Sequence, residues 1–506
     1  MLFKSSSAAL LGIDAYVVDV EVDVAGGLPN FTVVGLPDAS VRESKERVKA
    51  ALKNCGYDFP PRRVTVNLAP AARRKEGPAF DLPISLGHLA YIGVIGPDPI
   101  HDLMFLGELA LDGRLKPVKG VLSAAMLARK RGFRGIVVPK ENAREAALIE
   151  GLEVYGLNDL VETVRLLTSP DEVAPNQFSL MELLNAPVHE ADFKDVKGQF
   201  HVKRALEVAA AGGHNILLVG PPGGGKTMLA RRLPSILPNM TFEEIIDVTR
   251  VYSAAGLLGE VGAVVERPFR APHHSVSDAG LVGGGAVPKP GEVSLAHYGV
   301  LFLDELPEFD RSALEGLRQP LEDGRVTVVR AAMSLTFPSS FMLVAAMNPC
   351  EDVLRGLAGR DADCTESQRS KYYAKVSGPL LDRIDIQVEV PGVKFQDMIT
   401  KAEGECSASI RERVARARVH QLLRFRGRRI YANAQMGPKE VKQFCRIDRD
   451  GEKLLEAAVN KLGFSARAYD RSLKVARTIA DLADEENIRP PHLAEAIQYR
   501  AMDRYY

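Results

Sequence analysis

Residues 220–227 read GPPGGGKT, a spacing of glycine, lysine and hydroxyl that suits a chain of phosphates. With Gly220, Pro221, Pro222, Gly223, Gly224 and Gly225 forming a loop, backbone N–H groups can close around phosphate oxygens. Lys226 would then reach the β- and γ-phosphates of ATP, and the Thr227 hydroxyl would ligate Mg²⁺. Further along, residues 299–307 read GVLFLDELP, an apolar run that ends in two acids. Asp304 suits the Mg²⁺, and Glu305 suits the polarising of an attacking water. A third apolar run, FMLVAAMN, ends at Asn348. That amide suits orienting the water or touching the γ-phosphate; standing before Pro349, it suits a plain turn equally well.

These groups meet only if strands carry them to one place. The run ILLV precedes the glycine loop and MLARRL follows it, the strand–loop–helix order that such a loop requires. Acids at the end of an apolar strand lie at the carboxyl edge of a parallel sheet, where α/β folds bind ligands. Residues 193–392 alternate apolar strands with helices, an α/β core with a parallel sheet. Ahead of it, residues 1–167 mix strand patterns at 16–24 and 63–67 with helical periodicity at 39–53 and 122–131, an α+β domain. Residues 168–192 carry three prolines and several acids and read as a linker. Amphipathic helical patterns fill 393–506.

Bulk properties exclude other classes. The chain has 506 residues, too many for one hydrophobic core. Lys+Arg and Asp+Glu both number 65, so any hold on nucleic acid must come from a local patch. Five scattered cysteines do not read as a disulfide framework. Acids interrupt the N-terminal apolar run too early for a signal peptide, and no stretch has the length of a membrane span. A cytoplasmic protein without membrane contact is expected.

Together the motifs resemble the AAA+ superfamily of ring ATPases. Longer strings resemble its Mg chelatase-like branch of the YifB/ComM type, competence-associated branch-migration helicases: DVKGQ from 195, RALEVAAAGGHN from 204, RPFRAPHHSVS from 267, GVLFLDELPEF from 299 and SGPLLDRID from 377. The resemblance covers essentially the whole chain and implies an ATP- and Mg²⁺-dependent motor. It would assemble as a homo-oligomer, with six subunits expected, in the presence of ATP and single-stranded or branched DNA. It implies that Arg383 is an arginine finger reaching a neighbour's γ-phosphate, and that Arg467 is the sensor-2 arginine of a helical lid. It places an insert at about 253–296, with GLVGGG at 280–285 as a loop tip, and a pore-facing hairpin at 325–337. The front block resembles a Lon-protease-like domain (ribosomal S5 domain 2-like). There Ala79 replaces the nucleophilic serine, so no protease is expected; Ser85 and Lys119 lie near in sequence but outside the matching motif.

Relatives carry a cysteine cluster after Asn-Pro. Here only Cys350 and Cys364 remain, too few for structural zinc. Adjacent His273 and His274, if on a strand, would face opposite sides. For DNA, the candidate contacts are Arg325 and Arg330 on the hairpin, and Arg416 and Arg424 in the arginine-rich 411–429 stretch, which equally suits a solvated helix face. A second basic patch is expected at 73–75, with Arg62 and Arg63. The alternative function is a Mg-chelatase-type motor that remodels a protein partner.

Overall fold

Residues 18–24 put valine at every second position, and in the computed structural model Val18, Val20, Val22 and Val24 are all buried on one face of a strand. The structure describes residues 2–59, 61–96, 101–177, 191–259, 261–285, 288–330, 333–350, 364–392, 404–428, 430–462 and 464–500. It forms two compact units, Met1–Ala186 with Thr241–Val265, and Pro187–Met240 with Glu266–Tyr506.

The first unit is built on seven strands: β1 (Leu2–Leu11), β2 (Asp14–Ala25), β3 (Asn30–Val34), β4 (Arg63–Ala69), β5 (Leu103–Phe105), β6 (Gly135–Pro139) and β7 (Glu153–Leu157). Their order is β3-β4-β2-β1-β5-β6-β7. β1 and β2 form a long hairpin, whereas β5, β6 and β7 run parallel. Helices Ala39–Asn54 and Asp81–Tyr91 cover one face, joined by Arg47, whose Nε and Nη2 donate to Asp81 at 2.6 and 3.0 Å. Helix Val121–Arg131 lies within the cluster on the other face.

Helix Phe242–Ala255, expected within the ATPase block, belongs to this first unit. Its fastening is a buried carboxylate: Glu145 accepts from the Ser253 hydroxyl at 2.5 Å, from Asn142 Nδ2 at 2.7 Å and from the Leu122 N–H at 3.2 Å. Burial pushes the Glu145 carboxyl up, against these donors. The 73–75 patch loses a member, because Lys75 is buried with Nζ donating to Gly35 O at 3.1 Å and to Pro70 O. Ser85 is also buried and donates to the Leu82 carbonyl of its own helix at 2.6 Å. Of the 168–192 segment, residues 178–190 lie outside the described residues. Asn176 is tied to β7 through Val154 O and the Gly156 N–H, both at 2.7 Å.

The second unit holds a five-stranded parallel sheet: β8 (Ile216–Val219), β9 (Phe269–Arg270), β10 (Val300–Leu303), β13 (Met342–Met347) and β14 (Ile386–Glu389), in the order β9-β10-β13-β8-β14. Between β10 and β13 the chain makes an antiparallel hairpin of β11 (Arg325–Arg330) and β12 (Met333–Pro338). Helices Ser407–Arg424, Arg449–Leu462, Ala466–Leu482 and Pro490–Gln498 follow the sheet. Expected as a separate lid domain, they share one continuous core with it: Val202, Ile216, Val344 and Ile386 pack in a single cluster with Val414, Val475 and Leu493.

Just ahead of β10, His297 is buried, lies tilted against the Tyr298 ring with centroids 3.9 Å apart, and accepts the Ser340 N–H on Nδ1 at 3.0 Å. Burial holds its imidazole neutral, with a pKa lowered from 6.5 to about 4. The unfolded chain therefore binds this proton first, so stability rises with pH between those values. Acidification from pH 7 to pH 4 should remove about 3 kcal/mol through this group. Urea unfolding at pH 7 and pH 5 checks it: His297→Asn, which keeps an acceptor for Ser340, should flatten the acid-side loss. An unchanged loss would contradict the assignment.

Candidate functional site

The parallel register sets the site. β8 pairs with β13 with Val219 opposite Met347, and β10 pairs with β13 with Leu303 opposite Ala345. Three neighbouring strands therefore end at one edge, and the chain leaves them at Gly220, Asp304 and Asn348. All four β8 residues are buried, as are those of β10 and β13, so the polar groups begin where the apolar runs stop.

The loop after β8 needs its glycines. A side chain at Gly220 would meet Val390 O at 2.1 Å, and Gly223 and Gly225 adopt φ of 77° and 85°. At Gly223 an added Cβ would meet nothing within 4 Å, so the loop keeps an open concave face. Gln199, itself at φ 52°, props the loop by donating from Nε2 to Gly224 O at 2.8 Å and Pro391 O at 3.4 Å.

Lys226 opens helix Lys226–Arg232, and its ammonium donates to Gly220 O at 2.6 Å, Pro221 O at 2.9 Å and Asn348 Oδ1 at 2.8 Å. The third-strand asparagine thus meets the loop lysine directly. Thr227 Oγ1 donates to Asp304 Oδ2 at 2.7 Å. A hydroxyl and a carboxylate in contact form the hard-oxygen donor pair that Mg²⁺ prefers, and beside them the open, left-handed glycines leave backbone N–H groups that a phosphate can accept from. These residues fit ATP and Mg²⁺.

Glu305 takes a left-handed conformation, φ 54°, and its N–H donates to Asp304 Oδ1 at 3.0 Å. Its carboxylate is 55% exposed and stands 3.4 Å from His274 Nδ1. The His273 and His274 rings lie against each other, centroids 4.0 Å apart and tilted by 35°, not on opposite faces, because only Phe269–Arg270 of this segment is strand. In the same stretch Arg267 donates to Pro238 O at 2.6 Å and Tyr298 O at 2.7 Å, and Arg270 makes a two-bond pair with Glu292.

Arg383 and Arg467 lie elsewhere in this unit. Arg383 pairs through Nη2 with Glu322, a partner distant in sequence, and not with adjacent Asp382 or Asp385; Nη1 donates to Pro379 O at 2.6 Å. Its backbone is held by Asn215, whose Nδ2 donates to Arg383 O at 2.9 Å. Arg467, 64% exposed near the start of helix Ala466–Leu482, stands 3.4 Å from Asp382.

Among the candidate DNA contacts, Arg325 and Arg330 are exposed on β11. The hairpin meets the glycine run, since a side chain at Gly284 would approach Arg330 Nη2 to 3.1 Å. That run is only partly a loop: Gly283 and Gly284 pair with Lys289–Pro290, and residues 286–287 lie outside the described residues. Arg416 is exposed and pairs with Glu412 at 3.2 Å. Arg424 departs from expectation: both terminal nitrogens bind Asp481, at 2.8 and 2.5 Å, which fixes the side chain inside the helical layer at 15% exposure. Cys350 and Cys364 are joined as a disulfide, a pairing that the cysteine count did not indicate. Among the described residues no group of three or more His, Cys, Asp or Glu is placed to hold a metal, and no helix is long and apolar enough to cross a membrane.

A phosphate loop beside paired acids on a parallel sheet, backed by a helical layer, is the architecture of an AAA+ ATPase. Residues 192–398 match the family of magnesium chelatase subunit ChlI, residues 20–142 match the family described as subunit ChlI of Mg-chelatase, and residues 404–500 match the ChlI C-terminal family. The chain is 44% identical over 501 residues to competence protein ComM of Haemophilus influenzae, covering 98% of this chain and 97% of that one. It is 42% identical over 500 residues to the uncharacterized protein YifB of Escherichia coli, covering 98% and 96%. It is 30% identical over 161 residues to Lon protease 2 of Bacillus subtilis, covering 29% and 28%. The chain belongs to the Mg chelatase-like AAA+ family of the ComM/YifB type.

Gln199 and His274 stand at the site in roles the sequence did not assign: Gln199 appeared only within a matching string, and His274 only as a possible metal ligand. Because Gln199 holds the loop through a hydrogen bond of about 1 kcal/mol, Gln199→Ala should weaken ATP binding roughly fivefold. Titration calorimetry checks this, and an unchanged Kd would show that the loop holds its shape without the prop.

Proposed function

We propose that the protein is an ATP-hydrolysing ring motor that moves along DNA and drives branch migration. The convergence of Lys226, Thr227, Asp304 and Asn348 at one sheet edge carries the ATPase half of this reading. Loop N–H groups and Lys226 would bind the phosphates. Thr227 and Asp304 would hold Mg²⁺, which when bound offsets phosphate charge. Glu305 would accept a proton from the attacking water, and Asn348 would fix that water or the γ-phosphate. Arg383 and Arg467 would add positive charge, Arg383 from the neighbouring subunit. Hydrolysis then depends on assembly, consistent with a homo-hexamer formed with ATP and DNA in the cytoplasm.

The DNA half is supported by the exposed Arg325 and Arg330 on the hairpin and by the exposed Lys289 near them. In a ring each small cluster repeats around the axis, so a chain of zero net charge still presents a basic track to single-stranded or branched DNA. The name of one near-full-length relative, a competence protein, agrees with work on incoming strands. A second reading, a motor acting on a protein partner, draws on the three magnesium chelatase matches.

Strand displacement on forked and four-way DNA separates the two. The wild-type protein should unwind both substrates with ATP, and Lys226→Ala should unwind neither. ATP turnover with no unwinding and no response to DNA would overturn the DNA reading and favour the protein partner.

A further inference from the structure

Arg383 is folded inward. With Nη2 on Glu322 and Nη1 on the Pro379 carbonyl, its side chain is only 12% exposed. An arginine held this way cannot also reach a phosphate on another subunit; it must first leave Glu322. The partner's position makes this more than an incidental pair. Glu322 lies in helix Arg318–Asp323, and a single residue, Gly324, separates that helix from β11. Gly324 is left-handed at φ 63°, its N–H bonds Pro320 O at 2.9 Å, and its carbonyl accepts the Ser339 N–H at 2.9 Å. Gln319 of the same helix accepts the Thr327 N–H at 3.5 Å. The helix and the hairpin are thus joined by the continuous chain at Gly324, by its two backbone bonds and by the Gln319 side chain, so a displacement of β11 carries Glu322 with it. Charge acts in the same direction. A phosphate backbone drawn to Arg325, three residues after Glu322 in the chain, would bring negative charge towards the Glu322 carboxylate and repel it, the more strongly the lower the salt.

We propose that Glu322 is a positioning residue for ATP hydrolysis: it retains Arg383 within its own subunit, and a polyanion on the β11–β12 hairpin releases it. This deepens the DNA-motor reading and rests on it. Glu322 is 57% exposed, and pairs of that kind shift an equilibrium by at most about fivefold. The latch is therefore a tuning device that a bound polymer can overcome.

The test is steady-state ATPase of the full chain, with and without poly(dT), for wild type, Glu322→Gln, Arg383→Ala and the double variant. Glu322→Gln should raise the rate without DNA two- to fivefold, leave the DNA-saturated rate as in wild type, and melt at the wild-type temperature. The gain should vanish in the double variant, because Glu322 acts only through Arg383; loss of a purely structural contact would not depend on Arg383 in this way. A Glu322→Gln rate without DNA that equals or falls below wild type overturns the proposal, and so does a gain that survives Arg383→Ala. Wild-type turnover indifferent to poly(dT) would instead defeat the DNA reading, and the comparison without DNA would still decide whether Glu322 restrains Arg383.

Discussion

Parallel pairing of β8, β13 and β10 is the constraint on which the site depends. Strands running in one direction deliver their carboxyl ends to one edge, and the register places Val219 beside Met347 and Leu303 beside Ala345. A one-residue slip of β10 would turn Asp304 away from Thr227 and put each of its side chains on the opposite face of the sheet. The apolar residues that fill these strands enforce the register, because each is buried against helices on both sides of the sheet. The geometry of the candidate site is here a by-product of core packing.

The helical layer is welded to that sheet by buried polar groups. Asp385, ahead of β14, accepts from the Asn215 N–H at 3.2 Å, contacts His214 at 3.3 Å and pairs with Arg471. Burial pushes its carboxyl up, but the Arg471 guanidinium and His214 outweigh it and hold the group well below the usual carboxylate range. His214 passes the connection to Thr478 at 2.8 Å, and Asn433 joins Thr478 to Asp481. Breaking one partner out of such a buried set costs about 3–5 kcal/mol, whereas the exposed Arg467–Asp382 contact is worth under about 1 kcal/mol. Arg471 is therefore fixed while Arg467, one turn earlier on the same helix, is free to exchange partners. That division would suit the role proposed for Arg467 beside the phosphates.

Much of this was legible in the chain itself. The glycine loop announces itself because strand, loop and helix are contiguous, and Asp304 because an apolar run stops at an acid. What could not be read is pairing across distance. Arg383 finds Glu322 and Arg424 finds Asp481, each dozens of residues away, and no local periodicity encodes such a partner. Helix Phe242–Ala255 shows an apolar face of Ile245, Val248 and Val251, but amphipathicity says only that a face is covered and not by which unit. The contact of the His273 and His274 rings was missed for a simpler reason: alternation holds only within a strand, and that strand ends at Arg270.

In the proposed function, Glu305 is the carboxylate that works at this edge, and the phosphate grip belongs to other residues. Glu305→Gln separates the two functions, because it removes the proton acceptor and leaves Lys226, Thr227 and Asp304 in place. Measured side by side, ATP affinity should match wild type while turnover falls by about 10²-fold or more. Turnover at the wild-type rate would mean that the water is activated by some other group, and the reading of the site would fail.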